Sequence, residues 1–375
     1  MKKPIRILLV IPTLELGGAE RQAIRLAKYL QDKNHAVEVW GFNSPEGLGA
    51  KFCNELGIQN KCLHFYGGLG RYRYPLQLFK FILKFRSFKP DIIYSFTDGP
   101  NVLCSLIWKY TGAKGFIWGQ RSNKVIYPNK KLLNKALNNC KLCISNSQIG
   151  INELKDIYRN HKLIQFHKVP NGVEIEKPIL NKEEWKLNLN LNDDTKVALM
   201  IANFSEILGK DQKTLIRAWQ KVQQNNPNTL LLLAGRFDNH IDEYIQLAIE
   251  LRILHSIRFL GKVIDIAGLI SVADIIVHSS NNEGLPNAIL EGMKCNKAIT
   301  ATDIPGIREA LPETNLKFLS APYDHQGLAN NILNLINNED LRIQLAKDNL
   351  EYANDQFDLN NMGSKSESIL LRIIN

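Results

Sequence analysis

Apolar residues in this chain fall into short runs separated by longer amphipathic stretches. Residues 5–11, Ile-Arg-Ile-Leu-Leu-Val-Ile, form an almost unbroken apolar run, as expected of a strand buried on both faces. Residues 12–18 turn from it into a helix predicted from about Ala19 to Gln31, where Ala23, Ile24, Ala27 and Leu30 recur at helical spacing. Strands are predicted again near 37–42, 61–65, 91–96, 115–118, 142–145 and 167–169, with helical stretches between them. A second series, at 196–202, 229–234, 257–260, 275–278, 298–300 and 317–319, comes after a crossing near 175–178. Strands alternating with helices specify parallel sheets covered on both faces. At 375 residues the chain is long enough for two such domains, and residues 358–375 end in an amphipathic segment with Ile369, Leu370 and Ile373.

In such sheets ligands gather beyond the carboxyl ends of strands. The most informative of these ends is residues 278–294, which begin with His278-Ser-Ser-Asn-Asn-Glu283-Gly-Leu-Pro286. The Ser-Ser-Asn-Asn cluster breaks the strand, and Pro286 suits the first turn of a helix. Leu285, Asn287 and Ala288 then lie at a helix N-terminus, where free N–H groups and the helix dipole favour a phosphate or diphosphate. Glu283 and Glu291 frame that position. A carboxylate repels a phosphate, so both are better explained as acceptors for hydroxyl groups on either side of it. A nucleotide-sugar carries hydroxyls on both sides of its diphosphate, with Glu283 toward the sugar and Glu291 toward the ribose. Either glutamate alone would also fit a solvated surface residue.

Charge separates the two halves. Residues 1–176 carry 27 Lys/Arg against 12 Asp/Glu, and residues 177–375 carry 20 against 25. A basic half joined to an acidic half points to an anionic partner for the first, a membrane surface or a nucleic acid. Nucleic acid is disfavoured, because no binding motif accompanies the charge. Residues 75–89 read as a helix rich in Leu and Phe, edged by Lys80, Lys84, Arg86 and Lys89 and preceded by Arg71-Tyr-Arg-Tyr74. That composition suits either a membrane interface or a sheet-covering helix with a basic outer face. Lys124, Lys130, Lys131 and Lys135 add to the charge. No apolar run is long enough to span a membrane and no cleavable leader pattern opens the chain, so a cytoplasmic protein, peripheral on the inner face of the cell membrane, is expected. The scattered cysteines suit reduced thiols, and Cys140-Lys-Leu-Cys143 reads as strand filler rather than a metal or redox pair.

Further candidates stand at other strand ends. Gly17 and Gly18 would let a diphosphate approach the backbone, although they do not form the glycine pattern of dinucleotide enzymes. Asp98 is either a turn or capping residue or a group facing the reaction. Arg121 is either a counter-charge for a diphosphate or one half of a surface salt bridge. No Asp-x-Asp suited to a diphosphate-bound metal is apparent, and no metal or other cofactor is expected.

Glu283-Gly-Leu-Pro-Asn-Ala-Ile-Leu-Glu291, followed by Ala301-Thr-Asp-Ile-Pro-Gly-Ile-Arg-Glu309, resembles the sugar-donor motif of the family 4 glycosyltransferases; Gly-Gly-Ala-Glu20 and Gln120-Arg121-Ser122 match other parts of the pattern. The resemblance implies the GT-B fold, an α/β architecture of two Rossmann-like domains facing each other across a cleft. It places an acceptor-side domain at 1–176, a donor-binding domain at 177–355 and a helix at 356–375 that crosses back to the first domain. It implies a donor site of Gly17, Gly18, Asn203, Lys210, Gly235, the backbone at Lys262 and Val263, and Glu283, Gly284, Leu285, Pro286, Asn287 and Glu291. Lys210 sits about two residues beyond the family spacing, so Lys213 competes with it as phosphate ligand. Glu283, Lys210 and Asp98 are the catalytic candidates, and Arg121 belongs to the acceptor or phosphate side. The family's frequent histidine after the strand ending at Phe96 is missing. The activity implied by the resemblance is retaining, metal-independent transfer of a hexose from a nucleoside-diphosphate-sugar to a glycan or lipid-linked glycan hydroxyl. A nucleotide-sugar epimerase and a non-catalytic sugar-nucleotide or membrane binder are the alternatives.

Overall fold

The computed structural model describes residues 4–65, 74–158, 161–204, 209–237 and 241–374. Arg71 and Arg73 of the aromatic and basic stretch, and residues 205–208 of the loop before Lys210, lie outside them. The chain forms two compact units, Met1–Gly172 with Leu359–Asn375, and Val173–Asp358. Their limits fall at 172/173 and 358/359, a few residues from the 176/177 and 355/356 read from the sequence.

The first unit holds a seven-stranded parallel sheet of β1 (Arg6–Ile11), β2 (Ala36–Gly41), β3 (Gln59–Cys62), β4 (Ile92–Phe96), β5 (Gly115–Gln120), β6 (Leu142–Ser145) and β7 (Gln165–Lys168), in the order β3-β2-β1-β4-β5-β6-β7. Side chains of β1 alternate between two cores, as the period-two geometry of a strand requires. Ile7, Leu9 and Ile11 face one core with Ala23, Ile24 and Ala27 of the helix Gly18–Asp32 and with Ile369 and Leu370 of the C-terminal helix. Leu8 and Val10 face the other with Phe81, Phe85 and Phe88 of the helix Tyr74–Phe88. The C-terminal helix Leu359–Ile374 returns to this unit, where Gly363 lies so close to the Tyr29 ring that a Cβ would come within 2.3 Å of it.

The second unit holds a six-stranded parallel sheet of β8 (Lys196–Ile201), β9 (Thr229–Ala234), β10 (Ile257–Gly261), β11 (Ile275–His278), β12 (Ala298–Thr302) and β13 (Leu319–Ser320), in the order β10-β9-β8-β11-β12-β13. Val197 and Leu199 face one core, Ala198 and Met200 the other. In each sheet the strand order reverses once, between β1 and β4 in the first unit and between β8 and β11 in the second. In parallel sheets the loops leaving such a strand pair diverge, and ligands bind there.

Two strand assignments shift. The strand expected at 61–65 runs from Gln59 to Cys62, since His64 adopts a left-handed φ of 55° that ends the extended backbone. The one expected at 317–319 is preceded by a 3-10 turn, Glu313–Phe318, whose Phe318 carbonyl accepts a hydrogen bond from Thr300 Oγ1.

Candidate functional site

The second unit's switch point joins the loops after β8 and β11. Lys210 forms an isolated bridge with Ser280, and Asp211 N donates to the Ser279 carbonyl. Ser279 Oγ returns a bond to the Asp211 carbonyl at 2.7 Å. Thr302 Oγ1, at the end of β12, accepts from Ser280 N at 3.0 Å and donates to the Ser280 carbonyl at 2.5 Å. Asp211 also caps the next helix through Thr214 N at 3.1 Å. The backbone beside Lys210 and the segment leading to Glu283 are therefore fixed by hydrogen bonds that rigid elements supply.

These clamps bring three side chains together. Lys210 Nζ pairs with Glu283 Oε1, and His278 Nε2 lies 2.7 Å from the same oxygen. All three are mostly shielded, His278 almost completely. Burial pushes the Glu283 carboxyl up; the Lys210 charge and the His278 hydrogen bond more than offset it and hold the group at about 2. Burial lowers the His278 pKa against the pull of Glu283, so the ring is neutral and donates through Nε2. Buried polar atoms without partners gather here as well: His278 Nδ1, Asn281 Oδ1, Asn282 Oδ1 and Asp211 Oδ2.

The helix Asn287–Lys294 comes next along the chain, with Pro286 as its N-cap, one position before the first-turn place read from the sequence. The Pro286 carbonyl accepts from Ile289 N and Leu290 N, and Leu285 is buried against the core. Gly284 shares a close backbone contact with Gly306: a Cβ on Gly306 would lie 2.2 Å from the carbonyl oxygens of both Glu283 and Gly284. Glu291 is buried at 7% exposure rather than displayed on an outer helix face.

The remaining donor-side candidates stand at neighbouring strand ends. Asn203 Oδ1 accepts from Arg236 N at 3.0 Å and so ties the loop after β8 to the one after β9. A Cβ on Gly235 would meet the Ala202 carbonyl at 2.0 Å, which restricts the position to glycine. Gly235 N donates to the carbonyl of Gly261, which closes β10 before Lys262 and Val263. Lys213 points elsewhere, to Glu243 Oε2 at 2.8 Å and the face of Tyr244.

In the first unit Gly17 is the N-cap of the helix Gly18–Asp32, and the Glu20 carboxylate folds beneath it, 2.5 Å from where a Cβ would stand. Asp98 opens the helix Asp98–Ile107 without capping it; Thr97 is the N-cap, at a left-handed φ of 69°. Asp98 Oδ2 instead accepts from Ile126 N at 2.7 Å, and Oδ1 is buried without a partner. Burial pushes this carboxyl up to about 6, with Ile126 N–H opposing and Glu153 reinforcing. Arg121 makes no salt bridge among the described residues. Its Nη2 donates to Tyr94 Oη at 2.8 Å, Nη1 to Asn171 Oδ1 at 3.4 Å, and its guanidinium lies 4.5 Å from the Phe96 ring centre.

The helix Tyr74–Phe88 covers the sheet with one face and exposes the other. Phe81, Phe85 and Phe88 cover the sheet, while Leu76, Phe79 and Leu83 are 59, 55 and 49% exposed beside exposed Lys80, Lys84 and Arg86. Cys140 caps a helix and Cys143 lies in β6; both are buried free thiols, Cys140 pushed up to about 12. Among the described residues no three His, Cys, Asp or Glu side chains cluster in a way that could hold a metal, and no helix is long and apolar enough to cross a membrane.

The role of His278 was not anticipated. A polar, titratable residue closing an apolar β-branched strand just before a glutamate loop was the available signal.

Two parallel-sheet units, each with polar groups gathered at its switch point, are the architecture of GT-B glycosyltransferases. Residues 16–177 match the family described as Glycosyltransferase Family 4, and residues 181–351 match Glycosyl transferases group 1. The chain belongs to the family 4 glycosyltransferases. It is similar to an uncharacterized glycosyltransferase of Methanocaldococcus jannaschii, 28% identical over 64% of this chain and 62% of that protein. It is also similar to N,N'-diacetylbacillosaminyl-diphospho-undecaprenol alpha-1,3-N-acetylgalactosaminyltransferase of Campylobacter jejuni, 29% identical over 73% of this chain and 64% of that protein. The chain thus spans somewhat under two thirds of the length of both curated relatives. In fold it matches the crystal structure of Anabaena HepE in complex with UDP and glucose, with a TM-score of 0.84 at 21% identity, covering 98% of this chain and 100% of that one.

Proposed function

We propose that this chain transfers a hexose from a nucleoside-diphosphate-sugar, a UDP-sugar being the first choice, to a hydroxyl of a lipid-linked glycan. The observation that carries this reading is the Lys210, Glu283 and His278 cluster at the second unit's switch point, next to the N-terminus of the helix Asn287–Lys294. A departing nucleoside diphosphate develops negative charge, which Lys210 and the N-terminus of this helix stabilise. Each preorganised donor of that sort contributes roughly 3–4 kcal/mol to lowering a barrier. Glu283, held ionised at about 2, accepts a donor-sugar hydroxyl, and Glu291 accepts the ribose hydroxyls. Asn203 and Gly235 shape the nucleotide side of the site, with the backbone at Lys262 and Val263 against the base. Lys210 is preferred to Lys213 because Lys213 is engaged with Glu243 on the surface.

The proposed reaction retains anomeric configuration and needs no metal. The acceptor hydroxyl attacks C1 on the face the phosphate leaves, its proton passes to the departing phosphate, and the nucleoside diphosphate is released. An inverted product by NMR would transfer the role of base to Asp98. The relative named for a diphospho-undecaprenol substrate supports a lipid-linked acceptor, and the Anabaena structure in complex with UDP and glucose supports the donor class. The basic, partly apolar outer face of the helix Tyr74–Phe88 supports peripheral attachment to the cytoplasmic membrane surface.

The test is calorimetry and nucleotide release with UDP-, GDP- and ADP-sugars, wild type beside Lys210→Ala and Glu291→Ala. Micromolar binding of one donor class, lost in both variants, is expected. A folded protein that binds none of these donors overturns the reading.

A further inference from the structure

The second unit has a cavity of about 310 Å³ at the opposite end of its sheet, where β8 and β11 begin. That is the low end of the range for ligand pockets, roughly 300–1,000 Å³. The two strand starts are tied together: Asp274 N donates to the Val197 carbonyl, and Val197 N donates to Asp274 Oδ2 at 2.8 Å. His278 and the loop that carries Lys210 follow the carboxyl ends of these same strands. Four residues of β11 and six of β8, roughly 13–20 Å of extended chain, therefore separate the cavity from the donor-site candidates within one unit. Five cations line it: Lys182 and Lys186 of the helix Lys182–Leu189, Lys196 of β8, Lys297, and Arg342 of the helix Glu339–Gln356. Among the described residues two carboxylates, Asp193 and Asp274, stand against them. The excess is local, because residues 177–375 as a whole carry 20 Lys/Arg against 25 Asp/Glu.

The carboxylates do not balance these charges. Asp274 commits Oδ2 to Val197 N, and its Oδ1 lies 4.0 Å from Lys196 Nζ and 3.9 Å from Arg342 Nη2, beyond hydrogen-bond reach of either. Lys186 pairs with Asp193 at 3.0 Å and Glu183 at 3.3 Å, and Arg342 with Glu339 at 3.5 Å, but all three carboxylates are exposed and the pairs are screened by solvent. Lys182 is exposed and pairs with no carboxylate among the described residues. Lys297 Nζ donates to the Ser271 and Ala273 carbonyls, and Arg342 Nη1 to those of Leu335 and Ile336, which fixes both cations without adding negative charge. Burial pulls Lys297 below the usual lysine range, and the charge of Lys182 pulls it further against the opposing Asp274. A recess lined by one sign of charge concentrates counter-ions. Lysines act as point charges suited to phosphate, whereas the Arg342 fork is half committed to carbonyls and offers a planar carboxylate no free bidentate partner. Leu191, Ile343 and Ala346 give the cavity an apolar side.

We propose that this cavity binds a small phosphate-bearing ligand, pyrophosphate or a sugar phosphate ester, at a site separate from the donor site. The proposal goes beyond the function proposed above and does not depend on it.

Calorimetry with the full chain tests this, titrating pyrophosphate, a hexose 6-phosphate and the free hexose into wild type and Lys210→Ala. The Lys210→Ala protein is then combined with Lys182→Gln, with Lys196→Gln, with both, and with Ile343→Glu. Lys182 and Ile343 are exposed and Lys196 is partly so, and melting temperatures check that each variant is folded. Lys210→Ala is expected to keep one site per chain for one of the two phosphates and to bind no free hexose. Each lysine substitution should weaken that site about threefold and the pair about tenfold, as expected for partly exposed charges. Ile343→Glu, which adds a carboxylate to the cavity wall, should weaken it about tenfold or more. Tighter binding of pyrophosphate assigns the inorganic anion, and tighter binding of the hexose 6-phosphate assigns the ester. Absence of phosphate binding in folded Lys210→Ala overturns the proposal, as does binding that neither Ile343→Glu nor the double lysine variant weakens. Equal affinity for the free hexose and its 6-phosphate also overturns it. Failure of wild type to bind any nucleotide-sugar is a separate result and counts against the donor-site reading alone.

Discussion

His278 Nε2 lies 2.7 Å from Glu283 Oε1, the oxygen that also pairs with Lys210. The imidazole is set at the last position of β11, opposite Ala301 of β12, so its place is decided by strand register rather than by the loop. A neutral histidine donating from a rigid strand keeps a buried carboxylate ionised and aimed. His278→Phe keeps the ring volume and removes the donor. We expect donor affinity to fall about tenfold, within the range for a lost hydrogen bond to a charged group, with partial recovery in His278→Asn. Calorimetry with the bound donor class reads both, and unaltered affinity in His278→Phe would refute the positioning role.

Acid should erode the same cluster in a defined window. Glu283 titrates near 4.5 when unconstrained and at about 2 in the fold. Its folded value is depressed, so its contribution is complete above the unfolded value and is lost as pH falls through the folded one. Wild type should therefore exceed Glu283→Gln in urea stability at about pH 6, with the difference shrinking toward about pH 3 and below. A difference that stays constant across this range would mean that the Lys210 and His278 contacts do not hold the carboxyl down.

Asp98 should behave in the opposite sense. Its carboxyl is raised from 3.8 to about 6 by burial, so the protonated form favours the folded state and ionisation weakens it. Stability is complete below the unfolded value and declines as pH rises through about 6. Asp98→Asn retains an oxygen for Ile126 N and removes the charge, so it should flatten this decline and melt higher than wild type at neutral pH. Melting temperatures of the two proteins across that range check the sign. If Asp98→Asn melts lower at neutral pH, the ionised carboxylate is being stabilised by something other than the Ile126 N–H.

The fold was legible because strand and helix periods differ and both repeat along the chain. Ile7, Leu9 and Ile11 against Leu8 and Val10 show why an unbroken apolar run marks a strand covered on both faces. Motif residues at the two ends of one loop, such as Glu283 and the helix after Pro286, were legible because they are local in sequence. Contacts that depend on sheet order were not. The Thr302 clamp on Ser280 spans 22 residues, and the pairing of Lys210 with Glu283 spans 73. Both result from β11 lying between β8 and β12, which no spacing in the sequence encodes. Arg121 was ambiguous for the same reason. Whether an arginine meets a carboxylate or a phenol depends on which strands stand beside β5.

Gly306 provides a test of how tightly the Glu283 loop is held from below. A Cβ there would stand 2.2 Å from the carbonyl oxygens of Glu283 and Gly284, backbone atoms that cannot turn aside as a flexible side chain would. Gly306 also belongs to the first turn of the short helix Pro305–Ala310, whose Ile307 is fully buried, so neither side of the contact can retreat without loss of packing. Gly306→Ala should lower stability by about 1–3 kcal/mol, the usual cost of inserting one methyl group into a packed contact. Because the displaced atoms carry Glu283, donor affinity should fall by a larger factor in Gly306→Ala than in Gly57→Ala, where a Cβ meets nothing within 4 Å but φ is +69°. Gly57→Ala controls for backbone strain at a left-handed position in the other unit. Equal donor affinity in the two variants would show that the position of Glu283 does not depend on this contact.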